Sequence, residues 1–114
     1  MKVHTTPEVK LYLNDLISIL FEKEYFGFED SAHKYVDDLI DEIENNLSLK
    51  PHKPAPKYFD RYGKNMYYAS FRKNKQTVWY AFFTKYQDEN NEIIYLIRYI
   101  SNNHMDAQRL VSSV

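Results

Sequence analysis

Three cationic side chains stand in the most apolar part of this chain. Arg72, Lys85 and Arg98 lie near the ends of three runs, MYYASFR, TVWYAFFTKY and EIIYLIRYI, that are otherwise aromatic and β-branched. Such groups suit anions: a guanidinium presents a planar fork of donors that matches phosphate or carboxylate, and an ammonium presents a point charge. The charge around them is lopsided. Residues 1–49 hold four lysines against eleven acids, a net of -7, whereas residues 50–114 hold eleven basic and five acidic residues, a net of +6. A basic half of this kind could meet phosphate, with the acidic half facing elsewhere. The competing interpretation is two solvated faces whose charges only keep the surface wet. Arg98 carries two interpretations of equal weight as well, a phosphate contact and an ion pair to a helical acid.

Other chemistries are poorly supplied. No cysteine is present, so there is neither a disulfide framework nor a thiolate site. His4, His33 and His52 lack the spacing of a metal set, and no cofactor or metal is expected. The acids of the second helical segment have the distribution of a solvated face rather than a catalytic dyad. No Ser/His/Asp arrangement is visible. Gly27 and Gly63 are the only glycines, which excludes glycine-rich nucleotide cradles.

The elements that must position these side chains follow from periodicity. The three runs read as an antiparallel meander, with Asn74 expected in the left-handed conformation at the first turn and Asp88-Glu89-Asn90-Asn91 forming the second. Its central run has almost no polar position, as suits a middle strand buried on both faces. Upstream, Thr6-Pro7-Glu8 predicts a helix start by capping threonine, first-position proline and first-turn acid. Val9, Leu13, Leu16, Ile17 and Leu20 continue it at helical spacing to about Glu24, and Gly27 breaks it. Phe28-Glu29-Asp30-Ser31 opens a second helix, with Ala32, Tyr35, Val36, Leu39, Ile40, Ile43 and Leu47 on one stripe. These two helices predict an antiparallel hairpin packed on one face of the sheet, Leu16, Leu20, Leu39 and Ile43 against Val78, Tyr80, Phe82, Ile93 and Leu96.

Between the helices and the meander, Lys50-Pro51-His52-Lys53-Pro54-Ala55-Pro56-Lys57 reads as a stiff basic connector without regular structure. Tyr58 to Gly63 is a candidate short strand, and Met1 to Thr5 a candidate edge strand. Ser101 to Asp106 can cap a short C-terminal helix containing Met105, Leu110 and Val111, whose weak pattern predicts marginal docking. The expected fold is therefore α+β, one domain over residues 1–114, with about four antiparallel strands. No basic leader precedes an apolar run and no run reaches membrane-spanning length, so a soluble cytoplasmic protein without membrane partners is expected.

The order of helix, helix, basic linker and meander resembles the RelE/ParE-like toxins of bacterial type II toxin–antitoxin systems. The likeness is carried by Tyr58-Phe59-Asp60 to Met66, by Thr77-Val78-Trp79-Tyr80-Ala81-Phe82-Phe83 and by Ile97-Arg98-Tyr99-Ile100-Ser101-Asn102-Asn103-His104. It implies a ribosome-dependent mRNA endoribonuclease or a toxin directed at DNA gyrase, neutralised in either case by a cognate antitoxin protein. Cleavage through an internal 2′-hydroxyl needs a base, cations for the pentacovalent phosphate and an acid for the leaving oxygen, but no metal.

On that resemblance Arg61, Arg72 and Arg98 are candidates for phosphate charge, with His104 and Tyr99 as proton carriers. Lys50, Lys53, Lys57, Arg61 and Lys64 would bind RNA. Arg72, Arg98 and His104 are expected around one concave end of the sheet beside the connector lysines. The chain departs from the family at Gln76 and Thr77, where active members commonly carry an arginine at the start of the central strand. Arg72, across the hairpin, is the candidate replacement. The departure favours a gyrase-directed or a non-catalytic binding protein of the same fold.

Overall fold

The computed structural model describes residues 2–22 and 29–111. It is an α+β structure in which β1 (Lys2–Thr5), α1 (Pro7–Glu22) and α2 (Glu29–Asn46) precede β2 (Lys53–Pro54), β3 (Tyr67–Arg72), β4 (Val78–Gln87), β5 (Ile93–Asn102) and α3 (Asn103–Val111). Short 3-10 turns occupy Leu47–Leu49 and Lys57–Arg61. The strands form one sheet in the order β1-β5-β4-β3-β2. The meander is antiparallel as expected, but the sheet has five strands and is mixed, because β1 lies parallel to β5 with Lys2 opposite Ile94 and Thr5 opposite Ile97. The helical hairpin returns the chain to the other side of the sheet, which permits a parallel pair that no hairpin turn could make.

Local chemistry accounts for most boundaries. The Thr6 hydroxyl accepts the Val9 N–H at 3.3 Å ahead of Pro7, which lacks an N–H and fits the first helical position. The break at Gly27, the end of the first helix near Glu24 and the cap at Phe28 lie outside the described residues. In the first meander turn Asn74 does not take a left-handed backbone; its Oδ1 instead accepts the N–H groups of Gln76 and Thr77. Asn91, with φ 62°, is the left-handed residue of the second turn. The short strand falls at Lys53–Pro54 rather than at Tyr58–Gly63, part of which is a 3-10 turn. Proline is tolerated there because β2 is an edge strand and Pro54 has no donor to offer a neighbour.

Each helix buries the stripe that its spacing marks out, with Val9, Leu13, Leu16, Ala32, Val36, Leu39, Ile43 and Leu47 all buried. Their partners on the sheet differ from expectation by one residue. Trp79, Ala81, Phe83, Tyr95, Ile97 and Ile100 face the helices, together with Ala69 and Phe71. Tyr80 and Phe82 point to the opposite face, and Ile93 is exposed. A strand whose positions are all apolar gives periodicity nothing to choose between, so only the pairing register decides which alternate set meets the helices. On the second face Phe59, Met66, Tyr68, Phe82 and Leu110 form a smaller core under the Lys57–Arg61 turn and α3. No helix among the described residues is long and apolar enough to cross a membrane.

Candidate functional site

The second face of the sheet holds most of the chain's chemistry. Pairing between β4 and β5 slips where Phe82 opposes Tyr99 and Phe83 opposes Ile97, which leaves Arg98 without a partner on β4. This is a β-bulge: Arg98 keeps the alternation set by Tyr95 and Ile97, and Tyr99 is turned onto the same face as Arg98 instead of alternating with it. The Arg98 Nε donates to the Thr84 hydroxyl at 3.2 Å. Its aliphatic stem lies against Gly63, where an added Cβ would fall 2.6 Å from Arg98 Cδ and 3.2 Å from Met66 Sδ. Among the described residues no carboxylate pairs with Arg98, so the expected alternative of a helical ion pair is not realised. Every buried side-chain polar atom among them has a partner, so the half-buried guanidinium presents its free Nη groups to solvent.

Beside it Tyr99 stacks on Tyr62, ring centroids 3.8 Å apart and planes within 4° of parallel. The Tyr99 hydroxyl donates to Asp106 Oδ2 at 3.0 Å, and the same oxygen accepts from the Ser101 hydroxyl. Burial, with the Asp106 charge adding to it, pushes the Tyr99 phenol well above its ordinary range. A phenol so placed stays protonated and is a poor acid, and the arrangement makes Tyr99 a structural donor. Asp106 is 4% exposed and ion-paired with Arg109 at 3.1 Å. It anchors α3, so the marginal docking expected of a tail containing Met105, Leu110 and Val111 is corrected, with Leu110 buried in the second core and Met105 exposed. A carboxylate buried with its donors is invisible to hydrophobic periodicity.

Arg72 lies at the far end of this face, and His104 at the same end of the sheet. Arg72 opposes Val78 and donates to the carbonyl oxygens of Asn74 and Lys75 in the hairpin turn. The His104 ring is exposed, its Nε2 3.3 Å from the Thr77 hydroxyl. Asn102 Oδ1 caps α3 by accepting the His104 and Met105 N–H groups, while Asn103 joins α3 to β4 through Val78 N–H and the Gln76 carbonyl. From Arg98 to Asn102 is four residues of strand, about 13 Å. Arg72 and Arg98 therefore share a face, and His104 lies with Arg72 beside the first hairpin turn, but Arg98 does not join them at one end of the sheet.

The expected RNA-binding residues divide likewise. Lys53 pairs with Tyr68 and so projects on the second face, exposed. Lys57, Arg61 and Lys64 are exposed around the 3-10 turn and Gly63. Lys57 and Asp60 line an open hollow of about 320 Å³ with Ala55, Asn65 and Met66. The guanidiniums of Arg61 and Arg109 lie 4.0 and 4.2 Å from the Tyr58 ring centre. Lys50 and Lys85 point elsewhere, Lys50 over Phe71 and Lys85 over Tyr67 on the helix side of the sheet. Tyr80, beside Arg72, has its phenol raised by burial and by Tyr68, partly offset by the arginine charge. Gly63, Thr84, Tyr62, Ser101 and Asp106 complete the site without having been singled out in the sequence. Only Gly63 left a signal there, as one of two glycines in the whole chain.

Among the described residues no group of three or more acids and histidines is placed to hold a metal ion. Comparison of this chain with protein-family models, with curated proteins and with solved structures finds no match.

Proposed function

We propose that this chain is the toxin of a bacterial type II toxin–antitoxin system, a RelE/ParE-like protein of the cytoplasm acting on mRNA at the ribosome and held in check by a cognate antitoxin. The observation that carries this reading is the gathering of cations and aromatic rings on the second face, away from the acids of α2, although Lys50 and Lys85 lie on the helix side. Asp37, Asp38, Asp41 and Glu44 are exposed on α2, on the helix side of the sheet. The opposite side carries Lys53, Arg72 and Arg98 with the Tyr62–Tyr99 stack and Tyr80. Cations interleaved with aromatic rings are what a single-stranded nucleic acid meets, charge for phosphate and rings for unstacked bases.

At the far end Arg72 would supply charge to the reacting phosphate and His104 would move the proton, with the Thr77 hydroxyl at 3.3 Å orienting the ring. Tyr99 is committed to Asp106 and takes no proton in this scheme. Arg98, about 13 Å away along β5, would hold a neighbouring phosphate rather than the reacting one. A second reading has a specific observation in its favour. Thr77 and Gln76 stand at the start of β4 where active members of the resembled family carry an arginine, which suits a gyrase-directed or binding-only descendant that cleaves nothing.

The test is expression with and without the adjacent gene, followed by mRNA mapping and a DNA supercoiling assay. Growth arrest relieved by the neighbouring gene, with mRNA cut in ribosomes, is the expected result. Under it Arg72→Ala and His104→Ala each lower the cleavage rate. Growth arrest with intact mRNA would transfer the assignment to the gyrase-directed reading. Absence of any growth effect would sink the toxin assignment altogether.

A further inference from the structure

We infer that the β-bulge at Arg98 builds an anion site, positioned by Gly63 and Thr84, that takes a phosphodiester of single-stranded RNA. The ligand's identity rests on the function proposed above, whereas the anion site stands on geometry alone. Three observations converge on it. The bulge leaves Arg98 without a partner on β4 and brings Tyr99 beside it onto the basic, aromatic face. Thr84 fixes one edge of the guanidinium through Nε, which leaves the Nη groups for an outside acceptor. Gly63 gives the arginine stem its seat, and conformation does not explain that glycine, because its φ is not positive. The close approach explains it, since any Cβ would overlap Arg98 Cδ at 2.6 Å.

An arginine standing beside apolar strand residues, with no carboxylate opposite among the described residues, is an incomplete charge pair. A phosphodiester completes it, since two of its oxygens match the fork of donors. The Tyr62–Tyr99 stack adjoining the site offers a surface for the base on the same nucleotide. Gly63 and Thr84 act through Arg98 and are positioning residues.

The experiment measures binding of an unstructured single-stranded RNA oligonucleotide across a salt series, for wild type, Arg98→Gln, Gly63→Ala, Thr84→Val and Gly63→Ala/Arg98→Gln. Loss of one phosphate contact lowers the slope of log affinity against log salt by about 0.7. The expected result is that decrease in Arg98→Gln, with weakening on the order of ten-fold. Gly63→Ala should show most of the same loss, and the double variant no further loss, because both changes remove one contact. Thr84→Val, a change of similar volume, carries the positioning test should Gly63→Ala fold poorly. Wild-type binding with an unchanged slope in Arg98→Gln would overturn the site and leave the RNA reading standing. Should wild type bind no RNA, inorganic phosphate titrated against the Arg98 Nε–H resonance decides. A saturable shift absent in Thr84→Val supports the anion site without RNA, and no saturable shift overturns it.

Discussion

Replacing Asp106 by alanine should destabilise the whole domain, although α3 contributes few apolar contacts. Asp106 is 4% exposed and accepts from Tyr99 at 3.0 Å, from Ser101, and from Arg109 at 3.1 Å. In the alanine variant the Ser101 hydroxyl, itself 0% exposed, loses this partner, at about 1–3 kcal/mol for a buried unsatisfied group. Tyr99 is half-buried and recovers part of its loss from water, adding about 1 kcal/mol. The Arg109 side chain, 44% exposed, rehydrates and adds little. The sum is about 2–4 kcal/mol. Urea unfolding followed by fluorescence of Trp79, which is 2% exposed on the opposite face, reports the loss as a global change. The cycle with Ser101→Ala isolates the pair, and its coupling should be about 1–3 kcal/mol, because removing the serine hydroxyl relieves the unmet donor. A change below about 0.5 kcal/mol in Asp106→Ala would show that α3 is not anchored through this carboxylate.

Two further outcomes follow from the same contacts. Leu39→Ala, at a 0% exposed position where α2 meets the sheet, should cost about 2–5 kcal/mol, and an unchanged urea midpoint would refute the packing of the hairpin. Tyr99 has a folded-state pKa raised above 10.0, chiefly by burial, so its contribution to stability is intact below pH 10 and falls as the unfolded phenol ionises above it. Tyr12, Tyr68 and Tyr80 shift in the same direction, so Tyr99→Phe should reduce, without abolishing, the alkaline loss of melting temperature, and identical alkaline limbs would refute the assignment.

The amino-acid sequence by itself determined the helices and the meander. Proline after threonine, hydrophobic spacing of three and four, and polar turns between aromatic runs are local rules, and each acts on residues a few positions apart. It also carried the charge segregation, because net charge needs no coordinates. What it left open depended on which strand residues lie side by side. β4 is apolar at successive positions, so alternation could not say whether Trp79 or Tyr80 meets the helices, and only the register with β3 and β5 decided for Trp79. One extra residue on β5 turned Tyr99 onto the face of Arg98, and no composition rule predicts where a bulge falls. Asp106 read as a polar turn residue because its partners Tyr99 and Ser101 reach it only once α3 folds back. Gly63 stood at the end of a candidate strand, and only the fold brings Arg98, thirty-five positions later in the chain, against it. The candidate site was thus legible as residue types, whereas its geometry required contacts that only tertiary structure makes, since a bulge and a buried carboxylate are properties of pairs of segments and not of either alone.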